Sequence, residues 1–343
     1  MKIFLTGATG FLGHHIIKLL LEKKIYIKAM VRSTSKRELL PVSPFIEIQN
    51  ASLSDIDSLV NAMQGCDAVI HAASFVSFDP EDESLMFEVN VKGTENMCKA
   101  WIKTNRNGRF IYVSSVNALG FPQEGKIGNE DTAFNWQSYN IAYMNTKRLA
   151  ENIVLEYVSK ENLDGVIVNP GTLFGEGDIY GHSSAYIKAI GEGKVWGWIK
   201  GGFTQSCVDK VADGILKVIE KGKKGERYIL GGFNLSYKEF FDLASSALKK
   251  NRPFIKIPFF LFATVSYLYW FFCKITGLKA TITPGLIKAA PKYLFYSSEK
   301  AIKYIGYDPG TLEDLKKNII LQYQDIILRK IKTQKLNQPL FQG

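Results

Sequence analysis

The opening stretch "MKIFLTGATGFLGHHIIKLLLEK" leaves few folds open to this chain. Ile3 to Leu5 form a short apolar run without alternation, which fits a parallel strand buried on both faces. The run feeds directly into "TGATGFLG" and then into a helix expected from about Phe11 to Lys23. Gly7, Gly10 and Gly13 are spaced G-x-x-G-x-x-G. So tight a turn needs residues without Cβ, both for backbone freedom and for close approach of a ligand. The helix start beyond it offers unpaired N–H groups and a positive dipole end to a pyrophosphate. Thr9, Phe11 and Leu12 occupy the turn and the first helical positions, within reach of the same ligand. A glycine triplet alone is a weak signal; in this strand–turn–helix setting it predicts dinucleotide binding. The glycines that interrupt the apolar run also argue against a signal peptide.

Further strands are predicted within 25–32, 45–53, 67–74, 109–115 and 164–171, with helical patterns over 55–63, 83–105 and 136–160. Alternating strands and helices predict an α/β fold, a doubly wound parallel sheet of the Rossmann type. The expected division is a dinucleotide-binding domain over 1–175, with later elements such as 204–230 free to return to it, and a smaller α+β substrate-binding lobe over 176–335. A flexible tail is expected at 336–343. Ligands of such sheets sit beyond the carboxyl ends of the strands. Ala72, Ala73 and Ser74, Ser114 and Ser115, and Pro170 to Thr172 all fall at strand ends, so they converge with the glycine turn on one crevice.

The 136–160 pattern contains "YMNTK", which places Tyr143 and Lys147 four residues apart on one helix face. Its apolar face is predicted to be Ile141, Leu149, Ile153 and Val154. A free phenol titrates near pH ~10 and a nearby cation favours its ionised form. The pair could therefore exchange a proton with a substrate hydroxyl or carbonyl near neutral pH. No metal is needed for that chemistry and none is indicated. Cys66, Cys98, Cys207 and Cys273 lie far apart, and His14, His15, His71 and His182 form no ligand pattern. This cysteine usage fits a reducing cytoplasm. The net charge of +10 is scattered and no nucleic-acid-binding motif accompanies it. A basic surface drawn to anionic substrates or lipid headgroups is the better expectation.

NAD-selective sheets place an acidic residue at the end of the second strand. Here that strand ends "AMVRSTSKR", with Arg32, Lys36 and Arg37 before the first carboxylate, Glu38. A 2′-phosphate suits this end better than a bare diol, so NADP(H) is expected, with NAD(H) as the alternative.

"TGATGFLG", "HAAS", "NVKGT", "VSS", "YMNTK" and "NPGTLFG", in this order, resemble the extended short-chain dehydrogenase/reductases over residues 1–240 or so. "VRSTS" and "GERYILGGFNLS" are most similar to the dihydroflavonol 4-reductase, 3β-hydroxysteroid dehydrogenase and hopanoid-associated branch. The resemblance implies Tyr143 as general acid/base, and Lys147 as the cation that lowers its pKa and holds the nicotinamide ribose. It further implies Ser115 as a hydrogen-bond donor to the substrate oxygen, and Asn90 as support for a proton relay. Three departures stand out. At the adenine end, where the family has Gly-Asp-Leu, the chain reads Ala51, Ser52, Leu53. The stretch 201–214 holds neither the Arg nor the His usual in nucleotide-sugar members, and Val116 and Asn117 replace the acidic pair usual in dehydratases.

Residues 257–273, "IPFFLFATVSYLYWFFC", are 17 uncharged positions between Lys256 and Lys274. The preferred expectation is a buried or pocket-lining helix of the substrate lobe; a surface helix in peripheral contact with a membrane and a true span are the alternatives. Residues 311–332 read as an amphipathic helix, acidic early and basic late. Together these features predict an NADP(H)-dependent reductase/dehydrogenase acting on a carbonyl or secondary alcohol of a fairly apolar small molecule, as a monomer or homodimer. A nucleotide-sugar epimerase or dehydratase with a retained cofactor is the alternative within enzymes. A non-catalytic NADP-sensing protein is the alternative outside them.

Overall fold

In the computed structural model the described residues are 1–32, 37–104, 107–181 and 183–336. Lys36, His182 and the tail beyond 336 lie outside them. β1 (Lys2–Thr6) leads through the glycine turn into α1 (Phe11–Glu22), followed by β2 (Tyr26–Val31), β3 (Ile46–Asn50), α2 (Ile56–Met63) and β4 (Ala68–His71). The helix expected over 83–105 is interrupted. α3 (Glu83–Met86) passes through a π-helical stretch, Phe87–Lys92, before α4 (Gly93–Thr104) resumes regular geometry. β5 (Arg109–Val113), α5 (Ala142–Lys160) and β6 (Gly165–Pro170) follow. A left-handed residue, Asn140 at φ 51°, breaks the chain ahead of α5, so this helix begins at Ala142 rather than at 136.

The remaining elements are β7 (Thr172–Phe174), α6 (Ser184–Gly191), β8 (Gly197–Trp198), β9 (Gly202–Cys207), α7 (Val208–Lys221), β10 (Arg227–Leu230), β11 (Phe233–Ser236) and α8 (Tyr237–Ala247). After them come β12 (Ile255–Lys256), α9 (Phe259–Thr276), α10 (Pro284–Ala289), β13 (Tyr293–Leu294), α11 (Glu299–Ile305) and α12 (Leu312–Leu336). The main sheet runs β3-β2-β1-β4-β5-β6-β10, with every pair parallel. Its order turns around between β1 and β4, the position at which such sheets open a ligand crevice.

Apolar side chains from α1 and α7, among them Ile16, Ile17, Val211 and Ile215, fill one core cluster against the sheet. Leu59, Met97, Trp101 and Val154, from α2, α4 and α5, fill another. β9 anchors a second, smaller sheet with β7, β11 and β13, and Phe174, Phe203, Phe240 and Leu315 form its core.

Two expectations about helix faces need correction. The buried face of α5 is Tyr143, Met144, Thr146, Lys147, Ala150, Glu151 and Val154, whereas Leu149 is exposed and Ile153 only half-buried. The polar groups turn inward because their partners lie in the crevice, and apolar periodicity alone misplaces that face. α9 is not a buried pocket wall either. It is uncapped by any side chain after Pro258 and is stopped by Gly277 at φ 70°, and along it only Ser266 and Cys273 are buried.

Candidate active site

The glycine turn is held by its own close packing. Gly7 adopts φ +72°, and a Cβ there would stand 2.7 Å from the Ala72 carbonyl carbon. A Cβ on Gly13 would stand 2.1 Å from the Gly7 oxygen. The Gly10 amide donates to that same oxygen at 2.9 Å, which closes the loop. α1 then starts without a side-chain cap, so its first N–H groups remain for a ligand. Phe11 and Leu12 are buried in the main core, while Thr9 is half-buried in the turn. This cradle fits a dinucleotide pyrophosphate. Arg32 directly follows β2 and is exposed, at the same sheet edge as the turn because β1 and β2 run parallel. Arg37 donates to Asn50 Oδ1 at 2.6 Å. Ser52 and Leu53 follow β3; the Ser52 hydroxyl meets that of Ser54 at 2.8 Å, and Leu53 packs against Gly93.

A hydrogen-bond chain connects the turn to α5. The Ala73 amide donates to Thr6 Oγ1 at 3.0 Å, and Thr6 donates to His71 Nδ1 at 2.7 Å. His71 Nε2 meets Thr94 Oγ1 at 3.1 Å, and Thr94 donates to the Asn90 carbonyl at 2.6 Å. The Thr94 hydroxyl has one proton and spends it on Asn90, so His71 must donate from Nε2. Burial, and secondarily the Lys147 charge, lower the His71 pKa to about 3, so the ring is neutral, as that tautomer requires. Asn90 Nδ2 donates to Thr146 Oγ1 at 3.3 Å, and Thr146 donates to the Tyr143 carbonyl at 3.0 Å. Asn90 also clamps the loop after β4: its Oδ1 accepts from the Ser74 hydroxyl (3.0 Å) and the Phe75 amide (2.8 Å), and its Nδ2 donates to the Phe75 carbonyl (2.9 Å). The visible work of Asn90 is thus to lock that loop to α5. It sits in the π-helical stretch, a distortion frequent at functional sites.

Tyr143 and Lys147 share one buried face, but they are not charge partners in the expected way. Burial pushes the Tyr143 pKa up to about 12, against which a hydrogen bond with the Ser115 side chain favours the ionised form. Lys147 instead donates from Nζ to the Val113 carbonyl at 3.0 Å. Burial lowers its pKa to about 8, partly offset by the Glu151 charge. Ser115 and Ser114 separate as strand alternation predicts. Ser115, two residues past β5, accepts from the Asn117 amide at 3.2 Å and favours the ionised form of Tyr143, while Ser114 Oγ is buried with no hydrogen-bond partner among the described residues. Asn169 Nδ2 donates to the Ser115 carbonyl (2.9 Å) and to Glu151 Oε1 (2.6 Å), and Arg227 donates to Glu151 Oε2 (2.8 Å). Pro170 and Thr172 follow on, around Gly171, which packs against Ser206 and Thr204. Phe78 stands edge-on to the Tyr143 ring, centroids 5.8 Å apart. No group of metal-ligating side chains occurs among the described residues.

Reading the sequence alone misses Thr6, His71, Thr94, Thr146, Asn169, Glu151 and Phe78. Their signal is long-range, since Thr6 and His71 are 65 positions apart and Glu151 and Arg227 are 76 apart. For His71 a local cue existed, its place inside "HAAS" at a strand end.

The family profile described as NAD dependent epimerase/dehydratase matches residues 3–231. A Synechocystis sp. protein provisionally named dihydroflavonol 4-reductase is 27% identical over 327 residues, 94% of each chain. Sterol demethylase protein B of Methylococcus capsulatus is 28% identical over 265 residues, 75% of this chain and 78% of its own. The crystal structure of gox2253 superposes with a TM-score of 0.82 at 30% identity, covering 95% of this chain and 98% of that one. UDP-glucose 4-epimerase from Thermotoga maritima superposes with a TM-score of 0.76 at 17% identity, covering 96% and 99%, a likeness of fold alone. The chain belongs to the NAD-dependent epimerase/dehydratase family, the extended short-chain dehydrogenase/reductases, and is an oxidoreductase acting on CH–OH or carbonyl groups.

Proposed function

We propose that the protein is an NADP(H)-dependent reductase/dehydrogenase of a fairly apolar ketone or secondary alcohol. The observation that carries this reading is the gathering of a buried Tyr143, the Ser115 side chain that favours its ionised form, and a buried Lys147, at the carboxyl edge that also holds the glycine turn. A nicotinamide dinucleotide bound there supplies or accepts hydride at its nicotinamide ring. The protein's own part is proton chemistry and orientation. Ser115 donates a hydrogen bond to the substrate oxygen, and Tyr143 gives that oxygen its proton as negative charge develops on it. A phenol raised to about 12 by burial holds its proton in the resting site and is a weak acid there. The Lys147 cation opposes that cost once substrate charge forms nearby. Gly7, Gly10 and Gly13 would hold the pyrophosphate, and Lys147 the nicotinamide ribose.

Phe78 gives the reacting centre an apolar neighbour, and two relatives carry sterol names, the Methylococcus protein and sterol-4-alpha-carboxylate 3-dehydrogenase of Dictyostelium discoideum. Both favour an apolar substrate over a diphosphate sugar, which would call for several Arg or Lys side chains in the cleft. Arg32 would serve the 2′-phosphate of NADP(H). Titration of the wild type and Arg32→Ala with NADPH and NADH tests the cofactor choice. The substitution should weaken NADPH at least ~10-fold, in line with loss of a charge-assisted bond, and leave NADH within a factor of two or so. Equal weakening of both, or a wild type that prefers NADH, would contradict it.

A further inference from the structure

We propose that α9 lies in the interface of an anionic lipid bilayer and docks the protein on a membrane surface. Among the described residues it is the one helix long and apolar enough to cross a membrane, yet it stands on the outside of the fold. Phe260 is 67% exposed, Leu268 64%, Phe272 57% and Ile275 69%, with Val265 and Phe271 similarly open. Trp196, Phe254 and Ile255, on or beside the β8–β12 ribbon that leads into the helix, are exposed too. So much open aromatic surface is rare on a protein that stays in water.

Charge selects the occupant. From 243 to 298 the chain has eight Lys and Arg residues and no Asp or Glu. Seven of the eight are exposed: Lys249, Lys250, Arg252, Lys256, Lys274, Lys279 and Lys288. Two copies of this surface meeting face to face would bring like charges together, which disfavours a dimer through it. Anionic headgroups meet the same charges favourably, and exposed aromatics sit at the headgroup level. A spanning arrangement conflicts with the tethers at the helix ends. The chain enters α9 from β12, which is paired with β8 in the folded lobe. It leaves through Lys279, which contacts Asp79 at 3.3 Å and Asp82 at 3.1 Å. Both ends are therefore held to the same body, while Ser266 and Cys273 face inward. The helix lies flat. Asp79 and Asp82 belong to the segment that carries Phe78, so the docked face adjoins the loop that touches Tyr143.

Co-sedimentation of the full chain with phosphatidylcholine vesicles, with and without phosphatidylglycerol, tests the proposal. The wild type should bind the anionic vesicles at least ~10-fold more strongly than the neutral ones, and added salt should weaken binding. Phe260→Asp with Leu268→Asp should lose binding ~10-fold or more, since a buried charge opposes insertion. An unchanged melting temperature would show that the variant is folded. Lys256→Glu with Lys274→Glu should remove the preference for anionic lipid even where the aspartate variant misfolds. Absence of binding to either vesicle would overturn the proposal. So would a dimer in sedimentation velocity that Phe260→Asp disperses, because the helix would then be covered by a second copy.

Discussion

Lys147 is where burial does the most chemical work. Its ammonium is enclosed under Tyr112, 5.2 Å from that ring centroid, with the Val113 carbonyl as acceptor. Burial therefore lowers its pKa from 10.5 to about 8. The folded value lies below the unfolded one, so the stability tied to this group is full above pH 10.5 and is lost as the pH falls toward 8. Urea unfolding of the cofactor-free protein should accordingly show stability rising between those limits relative to Lys147→Met. Parallel pH profiles for the two proteins would mean that Lys147 titrates normally. That Tyr143 and Lys147 share a face was legible from their spacing of four. That the lysine spends a hydrogen bond on a strand carbonyl 34 positions away was not, because only the packing of α5 on β5 brings them together. Glu151 illustrates the same limit. It is fully buried, and the partners that account for it include Arg227 and Asn169, distant in sequence, beside the neighbouring Arg148.

The strand–turn–helix of β1 and α1 was legible almost residue for residue, since its glycines are demanded by contacts within a few positions. Gly7 adds a contact that sequence spacing does not reveal, its approach to the backbone of Ala72 and Ala73. Gly7→Ala places a methyl group 2.7 Å from that backbone at a φ of +72°, so neither a rotamer change nor a small shift relieves it. The substitution should cost on the order of 1–3 kcal/mol of stability and lower dinucleotide affinity. Calorimetric unfolding together with a cofactor titration checks both, and a variant with native affinity would show that the turn does not hold the dinucleotide. α9 was misread for the opposite reason. An apolar run carries no mark of which side of the fold it will occupy, and aromatic composition suits a pocket wall and a membrane surface equally. The uncharged run 257–273 located it, but the helix itself starts after Pro258 at Phe259 and continues past Lys274 to Thr276, where Gly277 stops it. The π-helical turn at Asn90 had no cue, since the residues of 87–92 suit regular helix.

The whole chain joins a parallel sheet, whose β10 comes from beyond β9 and α7, to a lobe built on β9 itself. In the proposed reading, the crevice at the switch point takes its proton chemistry from α5 and the chain just past β5, and its dinucleotide cradle from β1 and α1. The hydrogen-bond chain from Thr6 through His71, Thr94, Asn90 and Thr146 holds these parts in register. Phe78 beside Tyr143 is what the proposed preference for an apolar ketone over a diphosphate sugar rests on at this scale. One measurement bears on all of this at once: oxidation of NADPH by wild type and Tyr143→Phe, with a panel of polycyclic ketones set against UDP- and dTDP-sugars. The wild type should reduce one or more of the ketones and none of the sugars. Tyr143→Phe should lose at least ~100-fold in turnover, the usual contribution of a general acid, while NADPH binds it as before. Turnover of a nucleotide sugar by the wild type, or a Tyr143→Phe variant that reduces the ketone at near-native rate, would contradict the proposed site.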